Sequence, residues 1–410
     1  MKDIIKACEI LLPSKNIDLE KWAVVACDQF TSQPDYWKKL ESFCEGAYSA
    51  FNLIYPEVYL EDNKETRIEK INSAMKKYLA DDIFTPVADS FILVERDTPY
   101  HKSRLGLVMA VDLEQYDYTP FAEAGIRATE GTIVERIPPR VEIRKNASLE
   151  LPHIMLLIDD RAKTVIEPLF ENRGKLEKLY DTPLNMNGGH IKGYRVTDTS
   201  DVIGKLNALL NNEIQMRNYA KVTNFLFAVG DGNHSLATAK AHWDNVKAEL
   251  SAEEREAHPA RYALVEVENL HGDALEFEPI HRVIFNGGEK FTEAARKALR
   301  GPREVKMFTK SGEFVLKTAE DSIDSIKEIQ DFIDGYIKEN PEVVVDYVHG
   351  SDYLKEVVEK NDGVGIVMPA PEKNSLFDFI IRKGIMPRKS FSMGEAEEKR
   401  YYLEAKRIVK

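Results

Sequence analysis

Cysteine is scarce and long apolar runs are missing. The three cysteines, Cys8, Cys27 and Cys44, all fall within the first 44 of 410 residues and are not spaced as a zinc ribbon. They read as small buried hydrophobes. No stretch reaches the roughly 18 apolar residues that a membrane-spanning helix needs. The opening MKDIIKACEILLPSKNIDLEKW mixes acids and bases through its apolar positions, so it does not read as a secretory signal. These absences predict a cytoplasmic protein with reduced thiols and no membrane partner. Clustered basic residues are absent too. With a net charge of -13 and no concentration of Lys and Arg, no nucleic-acid partner is expected. No segment repeats at a fixed period, and no low-complexity linker interrupts the chain.

What is present is the makeup of a soluble globular protein, 43% apolar and 30% charged. A chain of this length predicts two domains or one large elaborated unit. Residues 34–51 and 65–84 carry apolar residues at three- and four-residue spacing and read as amphipathic helices. SFILVER, GLVMAVDL, HIMLLIDD and YALVEVENL read as strands. Residues 167–180 and 200–219 read as helices, each unbroken. Helical and extended segments alternate throughout, which predicts a mixed α/β or α+β protein. The expected boundary lies near residues 195–215, dividing an N-terminal part (1–200) from a C-terminal part (201–410), with a single intertwined body as the alternative.

The most informative stretch is AVGDGNHSLATAKAHW, residues 228–243. The apolar run NFLFAV has a strand's composition, and Ser235 onward, with Leu236, Ala237, Ala239 and Ala241, suits a helix. Between them, Gly230 and Gly232 permit a tight turn through close backbone approach or positive φ. A helix N-terminus presented by such a turn favours anionic groups such as phosphate. Asp231 is suited to hold a metal ion or accept a proton, and His234 to donate to phosphate or act as acid or base. The competing reading is structural: Asp231 or Asn233 caps the helix, and His234 is an ordinary polar residue of its first turn.

Other segments add candidates. His281 and Arg282 stand together at the end of a strand in EFEPIHRVIF, either as a catalytic pair or with a histidine bonded to backbone. His190, in NGGHIKGYRV, faces the same cleft or belongs to a hairpin. His101, His153, His242, His258, His271 and His349 form no constellation in sequence. WAVVACDQFTSQPDYW runs a strand into a polar turn with Asp28 before a helix beginning near Pro34, which Ser32 would cap. The charged run with Glu135, Arg136, Arg140, Glu142 and Arg144 reads as a solvated helix or ribbon with internal ion pairs.

The box GDGNHSLATAK resembles the (A)DGHHRxxTA box of DUF1015, a large bacterial and archaeal family of unknown function, some of whose members carry the label SpoOJ/ParA/ParB/repB. Further landmarks follow in order. FEPIHRVIF, residues 277–285, is similar to the family's PxHR segment. VVVDYVHG resembles its penultimate strand, and GIMPRKSFSMGEA, residues 384–396, is similar to its closing segment. A related DGHHR box is found in free serine kinases of the ParB/sulfiredoxin-like fold, where it lies in a nucleotide-binding site. The resemblance therefore implies a ParB/sulfiredoxin-like nucleotide-binding core with large additional α/β elaborations. It also implies a nucleotide, ATP or ADP, with Mg2+ at Asp231.

Two positions depart from the box. Asn233 stands in place of its first histidine and Ser235 in place of its arginine. Arginine is a bidentate, charge-assisted phosphate ligand, whereas serine offers one hydroxyl. A phosphate site here must therefore draw its cations from elsewhere, and Arg282, Arg388 and Lys389 are the candidates. Three functions remain open: a small-molecule phosphotransferase acting on a hydroxyl compound, a non-catalytic nucleotide-binding regulatory module, and a metal-dependent hydrolase centred on Asp231, His234 and His281.

Overall fold

The computed structural model describes residues 4–31, 33–60, 63–132 and 137–409, and it is a mixed α/β protein. Two compact units divide the chain: residues 1–128, 132–275 and 395–410 make the first, and residues 129–131 and 276–394 the second. The expected boundary at 195–215 thus falls inside the first unit. That unit is discontinuous because the chain returns to it after residue 394.

Nine strands form the spine of the first unit: β1 (Phe84–Asp97), β2 (Arg104–Asp112), β3 (Tyr116–Asp117), β4 (Ile126–Ala128), β5 (Met155–Ile158), β6 (Glu177–Leu184), β7 (Gly189–Val196), β8 (Phe227–Asp231) and β9 (Tyr262–Asn269). They lie in the order β6-β7-β1-β2-β9-β5-β8-β4-β3, with two short N-terminal strands pairing β1 and β2. The central strand β9 is buried on both faces from Ala263 to Asn269, with Ala263, Val265 and Val267 alternating with Leu264, Glu266 and Glu268. The principal helices are α1 (Pro34–Cys44), α2 (Lys64–Ala80), α3 (Ile137–Lys145), α4 (Thr199–Ala208), α5 (Asn212–Tyr219) and α6 (Asn233–Lys247). Helix α6 buries Leu236, Ala237, Ala239 and Trp243, each large side chain contributing about 1.5–3 kcal/mol.

Two sequence expectations change. Residues 167–180 are α-helical only to Glu171, make a single 3-10 turn at Arg173–Lys175 and then enter β6, where alternate residues Tyr180, Thr182 and Leu184 are buried. The apolar residues of that run fit either period, and cross-strand pairing decides between them. The expected long helix over 200–219 is two, because Asn211 accepts a hydrogen bond from Glu213 N and starts α5 afresh.

A buried ionic layer crosses this sheet. Arg104 pairs with Glu268 at 3.1 Å, and Arg400 pairs with Glu266 at 2.8 Å and Glu404 at 2.7 Å. Gly106 makes room for it: a Cβ there would meet Glu266 Oε1 at 1.9 Å. The segment from Glu395 onward lies over this layer as a strap. Tyr401–Tyr402 pair with Val24–Val25, and Lys406–Arg407 with Leu149–Glu150. The Arg96 guanidinium donates to the carbonyls of Glu397, Glu398 and Lys399 at 2.6–2.9 Å. These contacts fix the positions of Lys399 and Tyr402.

The second unit has the sheet β10 (Phe277–Phe285), β11 (Arg303–Thr309), β12 (Gly312–Thr318), β13 (Val344–His349) and β14 (Val364–Ile366), ordered β12-β11-β14-β10-β13, with β15 (Phe391–Met393) pairing the start of β10. Among its helices, Ser322–Glu339 is capped by Asp321 and buries Ile323, Ile326, Ile329 and Ile333 along one face. Among the described residues, no helix is long and apolar enough to cross a membrane.

Candidate functional site

The turn after β8 has the strand–turn–helix form its residue types predict. Strand β8 pairs with β5, and the register shifts between Val229 and Asp231, which places Gly230 at a bulge. Gly232 then takes φ +80° as the N-cap of α6, and a Cβ there would lie 3.1 Å from the backbone of Ile154. Positive φ and close approach together require glycine at this position. Neither Asp231 nor Asn233 occupies the cap position. The N-cap is a residue without a side chain, and the first turn of α6 holds no acidic group.

Both oxygens of Asp231 are engaged. Oδ1 accepts from Gly232 N at 2.8 Å, and Oδ2 accepts from Lys399 Nζ at 2.9 Å. Burial opposes ionisation of this carboxyl, but the adjacent ammonium outweighs burial and holds it below the usual carboxylate range. Within the first turn of the helix, Ser235 Oγ lies 2.8 Å from His153 Nε2. His153 Nδ1 lies 2.6 Å from Tyr402 Oη, which in turn accepts from Cys27 N at 3.1 Å. Asn233 and His234 open the helix and are half-buried. The chain from Ser235 through His153 and Tyr402 ends at Cys27, next to Asp28, whose Oδ1 accepts from the Gln29 side chain.

The remaining sequence candidates have other surroundings. His190 lies in the β6–β7 hairpin and pairs with Asp181 at 2.6 Å. In the second unit, His281 Nδ1 accepts from Met368 N at 3.2 Å. Arg282 is fully buried, and its guanidinium donates to Gln330 Oε1 and to the carbonyls of Ile280, Lys389 and Arg388 while lying over the Tyr347 ring. Arg388 donates to Tyr347 Oη at 2.8 Å, and Lys389 N donates to Glu130. Arg140 pairs with Glu57, Glu142 with Lys64 and Arg144 with Glu150, so two of the three pairs reach outside the charged run. Ser32, Glu135 and Arg136 lie outside the described residues, and α1 is preceded by Gln33, whose side chain makes no capping bond.

Two cavities of the first unit, of about 680 and 400 Å3, are lined by other groups, including Tyr36 and Asn187 in one and Arg161, Lys205 and Arg217 in the other. Convergent polar side chains, more than cavity volume, single out the turn.

The chain matches the family described as "Protein of unknown function (DUF1015)" over residues 11–348. It belongs to the DUF1015 family. The matched span includes the glycine-rich box and the PIHR segment, whereas the closing MPRKSF segment lies beyond it. No curated protein matches the chain. Solved structures similar to it include a free serine kinase variant in complex with AMP, at 9% identity and TM-score 0.39, covering 74% of this chain and 92% of that one. Another is a free serine kinase variant in complex with ADP, at 10% identity and TM-score 0.39, covering 76% and 95%. A third is SbnI with a C-terminal truncation from Staphylococcus aureus, at 10% identity and TM-score 0.39, covering 74% and 87%.

In this DUF1015 chain three groups at the turn escaped the sequence reading: His153, Lys399 and Tyr402. His153 stood alone in sequence, and Lys399 and Tyr402 lie in KRYYLEAK, which matches no chemical motif. The turn offers magnesium a single carboxylate, which Lys399 already pairs. Asp231 is the one carboxylate of the turn, both its oxygens have partners, and among the described residues no group of three His, Cys, Asp or Glu is placed to hold a metal ion. Of the residues on which a hydrolase would centre, Asp231 and His234 belong to the first unit and His281 to the second.

Proposed function

We propose that the turn from Gly230 to Ser235 binds the phosphate of a nucleotide or other phosphorylated small molecule. In this reading the protein is a phosphotransferase related to the free serine kinases and acts on a small hydroxyl compound. The observation that carries the reading is Gly232: its left-handed backbone turns β8 into a helix whose first turn holds no acidic side chain. The resemblance of the box to that of the free serine kinases supports the nucleotide. Ser235 would donate its hydroxyl to a phosphate oxygen, and His234 is the side chain of the turn suited to take the acceptor's proton.

A second reading, a nucleotide-binding module without turnover, is favoured by the engagement of Asp231 with Lys399, which leaves no unpaired carboxylate at the turn to act as base. Adding ADP or ATP with free serine, followed by thermal unfolding and 31P spectroscopy, tests both. Ligand at about a hundred times its dissociation constant stabilises the fold by roughly 2.7 kcal/mol. A shift with phosphorylated product supports the transferase, and a shift without product supports the module. No shift with any nucleotide overturns both.

A further inference from the structure

Lys399 has an unusual position for a lysine. Its side chain is 7% exposed, and the strap that carries it is held by the Arg96 guanidinium through the carbonyls of Glu397, Glu398 and Lys399 itself. An ammonium has three N–H donors. One points at Asp231 Oδ2, and the other two have no partner among the described residues. Buried donors of a charged group call for acceptors, because leaving them dry costs more than a single hydrogen bond returns. The side chain is therefore aimed at something rich in oxygen lone pairs, and it sits beside the residue that precedes Gly232 and α6.

The same contact argues about the metal. A divalent ion ligated by Asp231 would sit beside the ammonium at Oδ2, whose positive charge opposes a second cation there. Nothing else in the described structure completes a ligand set. Lys399 also supplies what the box lacks, since Ser235 stands where the related boxes carry a cationic arginine.

We propose that Lys399 is the resident cation of the phosphate site: it neutralises Asp231 and offers its two other N–H groups to phosphate oxygens, so that a nucleoside diphosphate binds here without a divalent metal. The inference rests on the phosphate reading of the turn and adds to it the charge donor and the metal independence.

The test is isothermal titration of the full chain with ADP, once in EDTA and once in magnesium, for wild type, Lys399→Gln and the double variant Asp231→Asn/Lys399→Gln. The double variant leaves no lone buried charge, so it keeps the test open if Lys399→Gln fails to fold. We expect wild type to bind ADP equally in both buffers and each variant to bind about 10- to 100-fold more weakly in EDTA, the range set by losing a charge-assisted hydrogen bond. ADP binding by wild type only with magnesium overturns the inference and leaves the phosphate reading standing, as does unchanged affinity in the variants. Absence of ADP binding in every condition removes the phosphate reading and this inference with it. A nucleotide-free arm, Mn2+ titration followed by electron paramagnetic resonance, reads the metal claim alone. Wild type is expected to leave Mn2+ free, and Mn2+ bound by wild type but released by Asp231→Asn overturns the claim.

Discussion

Ser235 Oγ lies 2.8 Å from His153 Nε2, and the far side of that imidazole determines which of the two is the donor. Tyr402 Oη accepts from Cys27 N, lies 2.6 Å from His153 Nδ1 and has one hydrogen of its own to give. If that hydrogen is given to Nδ1, Nε2 carries the ring hydrogen and donates to Ser235, whose hydroxyl proton then points away from the ring. In that order Ser235 would be a donor to a ligand and His153 its positioning residue, not its base.

The first prediction is the tautomer itself. Nitrogen chemical shifts of His153 should report the ring hydrogen at Nε2 rather than at Nδ1. A ring protonated at Nδ1 would reverse the donor order and make Ser235 a candidate nucleophile instead. Tyr402→Phe removes the hydroxyl on which the order depends and strands the Cys27 amide, so it should cost about 1–3 kcal/mol in urea unfolding.

A second prediction concerns the Asp231–Lys399 pair. Removing Lys399 alone leaves a mostly buried carboxylate without its cation, and since Asp231 keeps 22% exposure the cost should be about 1–3 kcal/mol, below that of a fully buried pair. Removing both charges together should recover most of that loss. A double-mutant cycle by urea unfolding measures the difference, and additive losses would show that the two charges do not interact.

The third prediction is a pH dependence. Burial holds His281 and His242 at about 4, with the positive charge of Arg282 and of Arg144 as the next cause in each case. Between the ordinary value of 6.5 and 4, the unfolded chain takes up protons at these positions and the folded chain does not. Stability from these groups is therefore complete above pH 6.5 and falls as pH drops towards 4, by at most about 1.4 kcal/mol per pH unit for each histidine. His281→Gln keeps an acceptor for Met368 N and should flatten the slope of unfolding free energy against pH. An unchanged slope would mean that His281 titrates normally.

A fourth prediction separates fold from site. Burial lowers the Arg282 guanidinium to about 10, still charged near neutrality, and its donors serve Gln330 and three carbonyls. Arg282→Met should cost at least about 2 kcal/mol through the acceptors it strands, while leaving the ADP affinity of a folded sample unchanged. A large loss of affinity at unchanged stability would instead make Arg282 a ligand contact.

Much of the local structure was legible because its causes are local. The strand, the turn and the helix around Asp231 follow from apolar β-formers, a glycine able to take positive φ, and a run of good helix formers. The paired elements of residues 167–180 were not, since Leu176, Leu179 and Tyr180 suit either period until β7 lies alongside.

The sequence by itself determined that this is a mixed α/β protein with a glycine-bearing strand-to-helix turn at Asp231, because backbone sterics and side-chain periodicity act over a few residues. Only the tertiary structure decided what faces that turn. Lys399 reaches Asp231 across 168 residues, His153 reaches Ser235 across 82, and Tyr402 reaches His153 across 249. Charge pairing and hydrogen bonding act through space, and the distances they need are set by how sheet, helix and returning strap pack together.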